Sequence, residues 1–474
     1  LVDMASKMDG NEKAVLFRNA GPDGAEVVGS VTGGRARMAL AFGVDPRDLL
    51  AEVNRRLATP QDIVELSSEE APVHQVILTG DDADLTKLPV HLQHGMDGGP
   101  YISSSLDYVI NPETGWTNTG ARRLMLRGPK ETGIDLVAPS DLRAIYEKCA
   151  AKGERLPVAF TVGAHPCDHV AAVMRLPVDE LPLVAQMRGA TLPVVKCVTS
   201  DIRVPADAEM VLEGYIDDGY TEPEGPFGEF LGYYGVMKRN PVFHLTAITH
   251  RKDPLFQTST ISGEHIGWTD TTQLNAIRAE VTVWRALQTA VREPVAVTIT
   301  TSSGGSFNAR VAIRPRVPGE ARNAITAVMG CMANVKHVFV VDPDIDVYSD
   351  AQIDWALGTR FQADRDLIVE GGFRTIPLDP SLDGSRTGAK AGFDLTMPLG
   401  PKRLDHQVPD VPRMGDKTHD GVEAALQDGP KAFGQIVSAV GSRDGREVVR
   451  DLDALRKAGR LGRTEDGLYT LTDA

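Results

Sequence analysis

The chain has 474 residues, 42% of them hydrophobic and 24% charged, and a formal net charge of −15 at pH 7. That length exceeds what a single hydrophobic core organises, so two or three domains are expected, with the composition of an ordinary soluble globular protein. A surface this acidic excludes nucleic acid or an anionic membrane as the principal partner. Cys149, Cys167, Cys197 and Cys331 are scattered, with no Cys-x-x-Cys spacing. This argues against a zinc site or a disulfide framework and fits a reducing cytoplasm. Apolar runs such as 338–341 fall far short of a membrane span, and no signal-peptide pattern is visible.

Residues 1–95 read as a small N-terminal α/β region, in which Asp45-Pro46 opens a helix that repeats apolar residues at helical spacing as far as Leu57. From 96 to 300 the pattern turns to β, with strands expected at 101–110, 156–162, 194–198, 209–216 and 242–249, and helices at 141–152 and 272–291. So many strands joined by loops of this length suggest a partly closed barrel rather than a doubly wound sheet. Residues 301–400 alternate strand and helix as a second α/β domain: strands at 309–314 and 337–341, helices at 320–332 and 350–357. The tail, 401–474, is Pro-rich at first. It then carries two helices, near 431–440 and 446–458, and a hairpin signal at 464–469, which together make a winged-helix outline. Its Arg456, Lys457, Arg460 and Arg463 are interleaved with Asp451, Asp453, Glu465 and Asp466, which favours a packing or subunit-contact module over DNA binding.

Several chemical motifs fail on geometry. Asp342-Pro-Asp344-Ile-Asp346 begins like a calcium loop but places Val347 and Ile353 where a Gly and a Glu are required. No Walker lysine, Gly-x-Gly-x-x-Gly turn, His-Glu-x-x-His or Gly-x-Ser-x-Gly elbow is present. What remains is Glu222-Pro-Glu224-Gly-Pro-Phe-Gly-Glu229, several acids on a Gly/Pro backbone, and Trp116-Thr-Asn118-Thr-Gly-Ala-Arg122-Arg123 upstream. If the segments meet, Arg123 lies between Glu224 and Glu229 and sets which carboxyl keeps a proton, supplying a general acid at neutral pH. Taken singly, the same residues describe an ordinary surface ion pair.

Read in order, Trp116-x-Asn118…Arg123, Leu156-Pro-Val…Gly163-x-x-Pro166, Val195-Lys-Cys-Val-Thr-Ser-Asp201-x-x-Val-Pro205-Ala…Glu209-x-Val-x-Glu213-Gly, Glu224-Gly-Pro-Phe-Gly-Glu229, Asp344-Ile-Asp346-Val and Thr359-Arg360 resemble the UbiD family of prenylated-FMN-dependent decarboxylases. The resemblance spans about 95–400. It implies a split barrel of the flavin-reductase-like type and a reversible, non-oxidative decarboxylase of an aromatic or heteroaromatic unsaturated acid. Arg123, Glu224 and Glu229 would be catalytic, with Glu229 the proton donor. Asn118, Arg122, Arg123, Ser140 and Lys390 would bind the cofactor. Asn118, Asp141 and Glu180 would hold manganese or magnesium beside a potassium ion, Asp141 standing where cinnamate-type members carry His. Ile261, His265 and Trp268 would line the substrate pocket. A flavin prenyltransferase would supply the cofactor, and the chain would form a homodimer or larger homo-oligomer. Two alternatives stay open: an open-chain acrylic or cinnamic-type acid as substrate, or a redox flavoprotein on the same barrel.

Overall fold

Six strands of the computed structural model close into a barrel: β1 (Tyr101–Ile110), β2 (Thr117–Leu126), β3 (Glu131–Ile134), β4 (Leu156–Val162), β5 (Met210–Ile216) and β6 (Val242–His250). Hydrogen bonding runs β5-β4-β1-β2-β3-β6, and β6 pairs back onto β5, so the ring leaves no open edge. The structure describes residues 1, 3–400, 404–406, 408–409 and 411–472, which form two compact units, Leu1–Thr396 and Met397–Ala474.

In β1 nearly every residue is buried, because both of its faces are covered. A register shift between Ile102 and Ser105 changes which residues point each way. Ile102 and Val109 thus join one core with Leu124, Phe160 and Phe243. Leu106 and Tyr108 join another with Val170, Leu181 and Val184. Three helices accompany the barrel: α1 (Asp141–Ala150), α2 (Pro166–Val173) and α3 (Glu180–Arg188). The long α4 (Asp270–Ala290) then leads to a five-stranded sheet of β7 (Pro294–Ile299), β8 (Asn308–Ile313), β9 (His337–Val341), β10 (Leu367–Arg374) and β11 (Thr387–Leu395), in the order β7-β8-β9-β11-β10. The β8, β9 and β11 neighbours are parallel, as the alternating pattern implied. Helix α5 (Glu320–Gly330) packs with α4 on one face of this sheet through Ile325 and Ile277, and α6 (Asp350–Arg360) covers Val341 and Leu395 with Ile353 and Ala356. Arg360 reaches back to Asp342 and Asp344, so the failed calcium-like acids are a strand end held by a buried guanidinium.

The structure departs from the sequence reading at several points. The first long helix begins at Leu49, after a turn closed by Asp48 N–H to Asp45 C=O, so Pro46 lies outside it. The segment carrying Asn118 and Arg123 is a full barrel strand, and α2 and α3 occupy a stretch that carried no helix expectation. In the second unit, Val422–Gln427, Phe433–Ala439 and Arg446–Lys457 enclose Val422, Leu426, Ile436, Val448 and Leu452, and Leu461–Arg463 pairs with Tyr469–Leu471. Its basic residues are matched locally: Arg456 and Lys457 to Asp453, Arg460 to Glu423. Among the described residues no helix is long and apolar enough to cross a membrane.

Candidate active site

Strand β2 delivers Arg122 and Arg123 to opposite sides of the sheet, since successive side chains alternate. Arg123 meets three carboxylates: Nη2 lies 3.1 Å from Glu229 Oε1 and 3.0 Å from Asp135 Oδ2, and Nε lies 3.6 Å from Glu224 Oε1. Its guanidinium also sits over the Phe227 ring, 4.7 Å from the centroid. Lys238 approaches Asp135 Oδ2 at 3.0 Å. The Tyr101 hydroxyl donates to Glu224 Oε1 at 2.8 Å, and Asn240 donates to the other oxygen at 3.3 Å.

The charges around Arg123 do not balance. Two cations, Arg123 and Lys238, face Asp135, Glu224 and Glu229, so full ionisation would leave one negative charge in excess in a buried site. Burial would raise Asp135, but Arg123 and Lys238 overcome it and hold that carboxyl down at about 2. Glu224 receives a donor on each oxygen. Glu229 is pushed above the usual carboxylate range by burial, which Arg123 and Lys238 offset only in part. The surroundings of Glu229 thus favour its protonated form more than water does.

The loop is built to hold that geometry. Gly225 adopts φ +92°, which L side chains rarely take, and its carbonyl passes so close to Gly98 that a Cβ there would lie 2.3 Å from it. Asp97 ties the loop down, accepting from Gly228 N–H at 3.0 Å and from His94 N–H at 2.9 Å. A turn closed by Glu229 N–H to Tyr233 C=O aims the Glu229 side chain. Gly235 leaves the space that the carboxyl fills, since a Cβ there would stand 2.8 Å from Glu229 Oε1. Gly235→Ala is expected to lower kcat by up to ~10²-fold through misplacement of this carboxyl while the melting temperature barely moves. Steady-state kinetics beside a thermal melt check it, and unchanged kcat would show that Glu229 has slack.

The opposite end of β2 has a different chemistry. Asn118 Nδ2 donates to Glu180 Oε2 at 2.7 Å, and Thr119 N–H donates to the same oxygen at 2.6 Å. Glu180 begins α3, capped by Asp179, and is almost fully buried rather than the solvated acid a lone surface Glu would be. Burial pushes it up to about 8; the Thr119 N–H opposes this and the fields of Asp107 and Asp141 add to it. Asp141 is exposed on the first turn of α1, where Ser140, not Asp141, is the cap, its Oγ accepting from Arg143 N–H at 3.2 Å. Arg122 links the two regions, donating to Ser140 Oγ at 3.3 Å and pairing through Nε with Asp107 at 3.0 Å. Asp107 is fully buried, and its carboxyl is pushed up to about 6 by burial despite Arg122. Lys390 lies on β11, buried, with Nζ 2.6 Å from the Met329 carbonyl.

Of the pocket residues read from the sequence, Ile261 packs against Tyr101, Met125 and Phe227, and so borders the Arg123 site. It also lines a cavity of about 310 Å³ with Asp9, His91, Gln93 and His94. His265 and Trp268 are absent from that lining: the imidazole is exposed and drawn to Asp9 at 3.3 Å, and Trp268 is half-exposed in the short helix Ile266–Trp268. Sequence reasoning missed Tyr101, Asp135, Lys238 and Asn240. Each lies outside the motif segments, and only strand pairing brings it to Arg123.

Three family models match in succession: the 3-octaprenyl-4-hydroxybenzoate carboxy-lyase N-terminal domain over 2–57, the Rift-related domain over 64–265 and the C-terminal domain over 272–395. The chain belongs to the UbiD family of decarboxylases. It is 32% identical over 389 residues to the anhydromevalonate phosphate decarboxylase of Methanosarcina mazei, covering 81% of this chain and 87% of that one. It superposes on the UbiD-class enzyme HmfF of Pelotomaculum thermopropionicum in complex with FMN with TM-score 0.81 and 32% identity, over 87% of this chain and 92% of that one. An evolved dimeric form of the same enzyme, holding prFMN, gives 0.77 and 31% over 87% and 90%. Vanillic acid decarboxylase of Sedimentibacter hydroxybenzoicus gives 0.76 and 28% over 88% and 90%.

Proposed function

We propose that this chain is a prenylated-FMN-dependent decarboxylase that acts reversibly and without net oxidation on an α,β-unsaturated carboxylic acid, and that Glu229 protonates the carbon that loses carbon dioxide. The observation that carries the reading is Arg123 set between Glu224 and Glu229, with Glu229 the carboxyl raised by burial. When bound, the cofactor supplies the electron sink for the pair left behind as carbon dioxide departs. Arg123 fixes the orientation of Glu229, Tyr101 and Asn240 hold Glu224, and Lys238 with Asp135 keeps the neighbouring charge constant.

The residues fit such a group. Arg122 and Arg123 are guanidiniums whose Nε atoms lie 3.0 Å from Asp107 and 3.6 Å from Glu224 without forming an aligned hydrogen bond, and Ser140, Asn118 and Lys390 complete the proposed cofactor set. Glu180 is a buried acid whose described side-chain and backbone donors, Asn118 and Thr119, are neutral, and with Asn118 and the nearby Asp141 it offers hard oxygen donors suited to Mn²⁺ or Mg²⁺, which would act beside K⁺. Chelation, or Glu180→Gln, is expected to weaken flavin binding by about tenfold or more, because the phosphate loses its divalent clamp. Fluorescence titration of FMN with and without EDTA measures it, and an unchanged affinity counts against the metal.

The preferred substrate is an aromatic or heteroaromatic acid, in line with the vanillic acid decarboxylase likeness. A second reading, an open-chain unsaturated acid, is favoured by the name of the Methanosarcina relative and by the polar Asp9, His91, Gln93 and His94 beside Ile261. The deciding experiment expresses the chain with a flavin prenyltransferase, weighs the bound cofactor and screens both classes for hydrogen–deuterium exchange at the carbon bearing the carboxylate. Exchange with neither class, in protein carrying the cofactor, would refute the reading.

A further inference from the structure

The cavity of about 310 Å³ beside Ile261 is walled by the short helix Met4–Met8, the segment 91–94 and the turn 259–263. Its lining holds one carboxylate, Asp9, two imidazoles, His91 and His94, and neither lysine nor arginine. Two contacts join it to the Arg123 site. Ile261 packs on Phe227, whose ring lies under Arg123, and the His94 ring meets the same Phe227 edge-on, with centroids 5.6 Å apart. A Cβ on Gly228 would stand 2.5 Å from His94 Nδ1, so the imidazole lies directly against the loop that carries Glu229.

Several polar groups of this wall are already engaged. His91 has both ring nitrogens occupied, Nε2 3.0 Å from Thr258 Oγ1 and Nδ1 3.0 Å from the Leu92 carbonyl. Ser259 N–H donates to Ser103 Oγ at 3.0 Å, and Asp9 accepts from His265 N–H at 3.2 Å. Two groups differ. His94 Nδ1 lies 3.1 Å and 3.2 Å from the two oxygens of Asp97, whose side chain is fully buried. A carboxylate offers only acceptors, so Nδ1 carries the proton and Nε2 of the neutral ring is left as an acceptor, with no hydrogen-bond partner among the described residues. Gln93 is 9% exposed, and its Nε2 is buried without a hydrogen-bond partner, a state that buried amides ordinarily avoid. Turning about the Cγ–Cδ bond exchanges this nitrogen with Oε1, so the wall can present a donor.

We propose that this cavity receives the end of the substrate remote from its carboxylate, and that it recognises a hydroxyl group there, which donates to His94 Nε2 and accepts from Gln93 Nε2. An alcohol or phenol oxygen does both at once, whereas a carbonyl or ether oxygen has no proton to give the imidazole. A phosphate or a second carboxylate would bring its charge beside Asp9, with no lysine or arginine in the lining to receive it. Asp97 is a positioning residue: it fixes the tautomer of His94 and, by accepting from Gly228 N–H at 3.0 Å, ties the imidazole to the Glu229 loop. The inference rests on the proposed function for placing the reacting end beside Arg123 and Glu229.

Isothermal titration calorimetry of the full-length, FMN-loaded chain tests it. The probes are benzoate, 4-hydroxybenzoate and terephthalate as ring acids, and pent-2-enoate and 5-hydroxypent-2-enoate as open-chain acids, in wild type, His94→Phe and Gln93→Leu. The readout is the ratio of affinities between a hydroxyl acid and its parent, in which a general change of the cavity cancels. Gln93→Leu leaves the His94–Asp97 pair in place, so one arm of the test spares the Glu229 loop. In wild type the hydroxyl acid of at least one pair should bind about tenfold or more tighter than its parent, and the ratio should fall to about one in His94→Phe and part of the way in Gln93→Leu. The pair that shows the advantage also chooses between ring and open-chain substrates. No advantage in either pair, whether the acids bind or not, overturns the proposal, as does an advantage undiminished in either variant or a terephthalate that binds more tightly than 4-hydroxybenzoate. Hydroxyl-selective binding by a chain that decarboxylates no acid refutes the proposed function and leaves the hydroxyl site standing.

Discussion

Glu229→Gln is expected to lower kcat by ~10²- to 10⁴-fold, the range a positioned general acid contributes, while FMN binds as in wild type. The amide keeps the size of the side chain and can still meet Arg123, so the loop from Gly225 to Gly235 is not disturbed. What it lacks is a proton to give. The wild-type pH profile should carry the same signature. Burial raises Glu229 above the ordinary carboxylate range, so its acid form persists to higher pH than in free glutamic acid, and kcat should be sustained on the acid side and fall as pH rises through that raised value. In Glu229→Gln this alkaline limb should vanish from the residual rate. Near-normal turnover in the variant would remove Glu229 from its role, whatever the flavin content.

How much of this was legible beforehand depended on whether the information was local. The helices at 141–150 and 446–457 and the strands at 156–162 and 337–341 follow from periodicity and caps, and the structure has them within a residue or two of the expected bounds. The Glu224–Glu229 loop stood out because it joins acids to Gly and Pro, and the cationic partner inferred for it, Arg123, lies against both acids. Tyr101, Asp135, Lys238 and Asn240 were not legible, because they come from three separate segments: Tyr101 from a ring strand, Asp135 from just past another, and Lys238 and Asn240 from a short strand that pairs with Glu222–Glu224, so only pairing distant in sequence brings them together.

The glycines carry a related lesson. Gly and Pro around buried acids suit a close approach of other atoms to the backbone. At Gly235 the atoms that occupy the freed space belong to Glu229, and at Gly133 they belong to Glu224 and Arg127, a Cβ there lying 3.1 Å from both Glu224 Cγ and Arg127 Nη2. The backbone is thinned so that two carboxyl side chains can converge on one guanidinium, which makes these positions part of the electrostatic design and not only of the entrance.

Replacing that guanidinium should have the largest effect on the folded state. Arg123→Met leaves Glu224 and Glu229 buried without their shared cation and Asp135 with Lys238 alone, a loss expected to cost roughly 3–5 kcal/mol near neutral pH. The penalty should depend on pH with a defined sign. Asp135 is held near 2 in the fold, below its unfolded value, so its contribution to stability is present above about pH 4 and fades as pH falls toward 2. Much of that contribution is already missing in Arg123→Met, so the gap between wild type and variant should narrow on acidification. Denaturant unfolding at pH 7 and at about pH 2 measures it, and a gap of constant size would show that packing against Phe227, not charge, is what Arg123 provides. Arg123→Lys separates the remaining possibilities. Its point charge should recover part of the stability, but it cannot face three carboxylates with a planar fork, so turnover should stay ~10²-fold down.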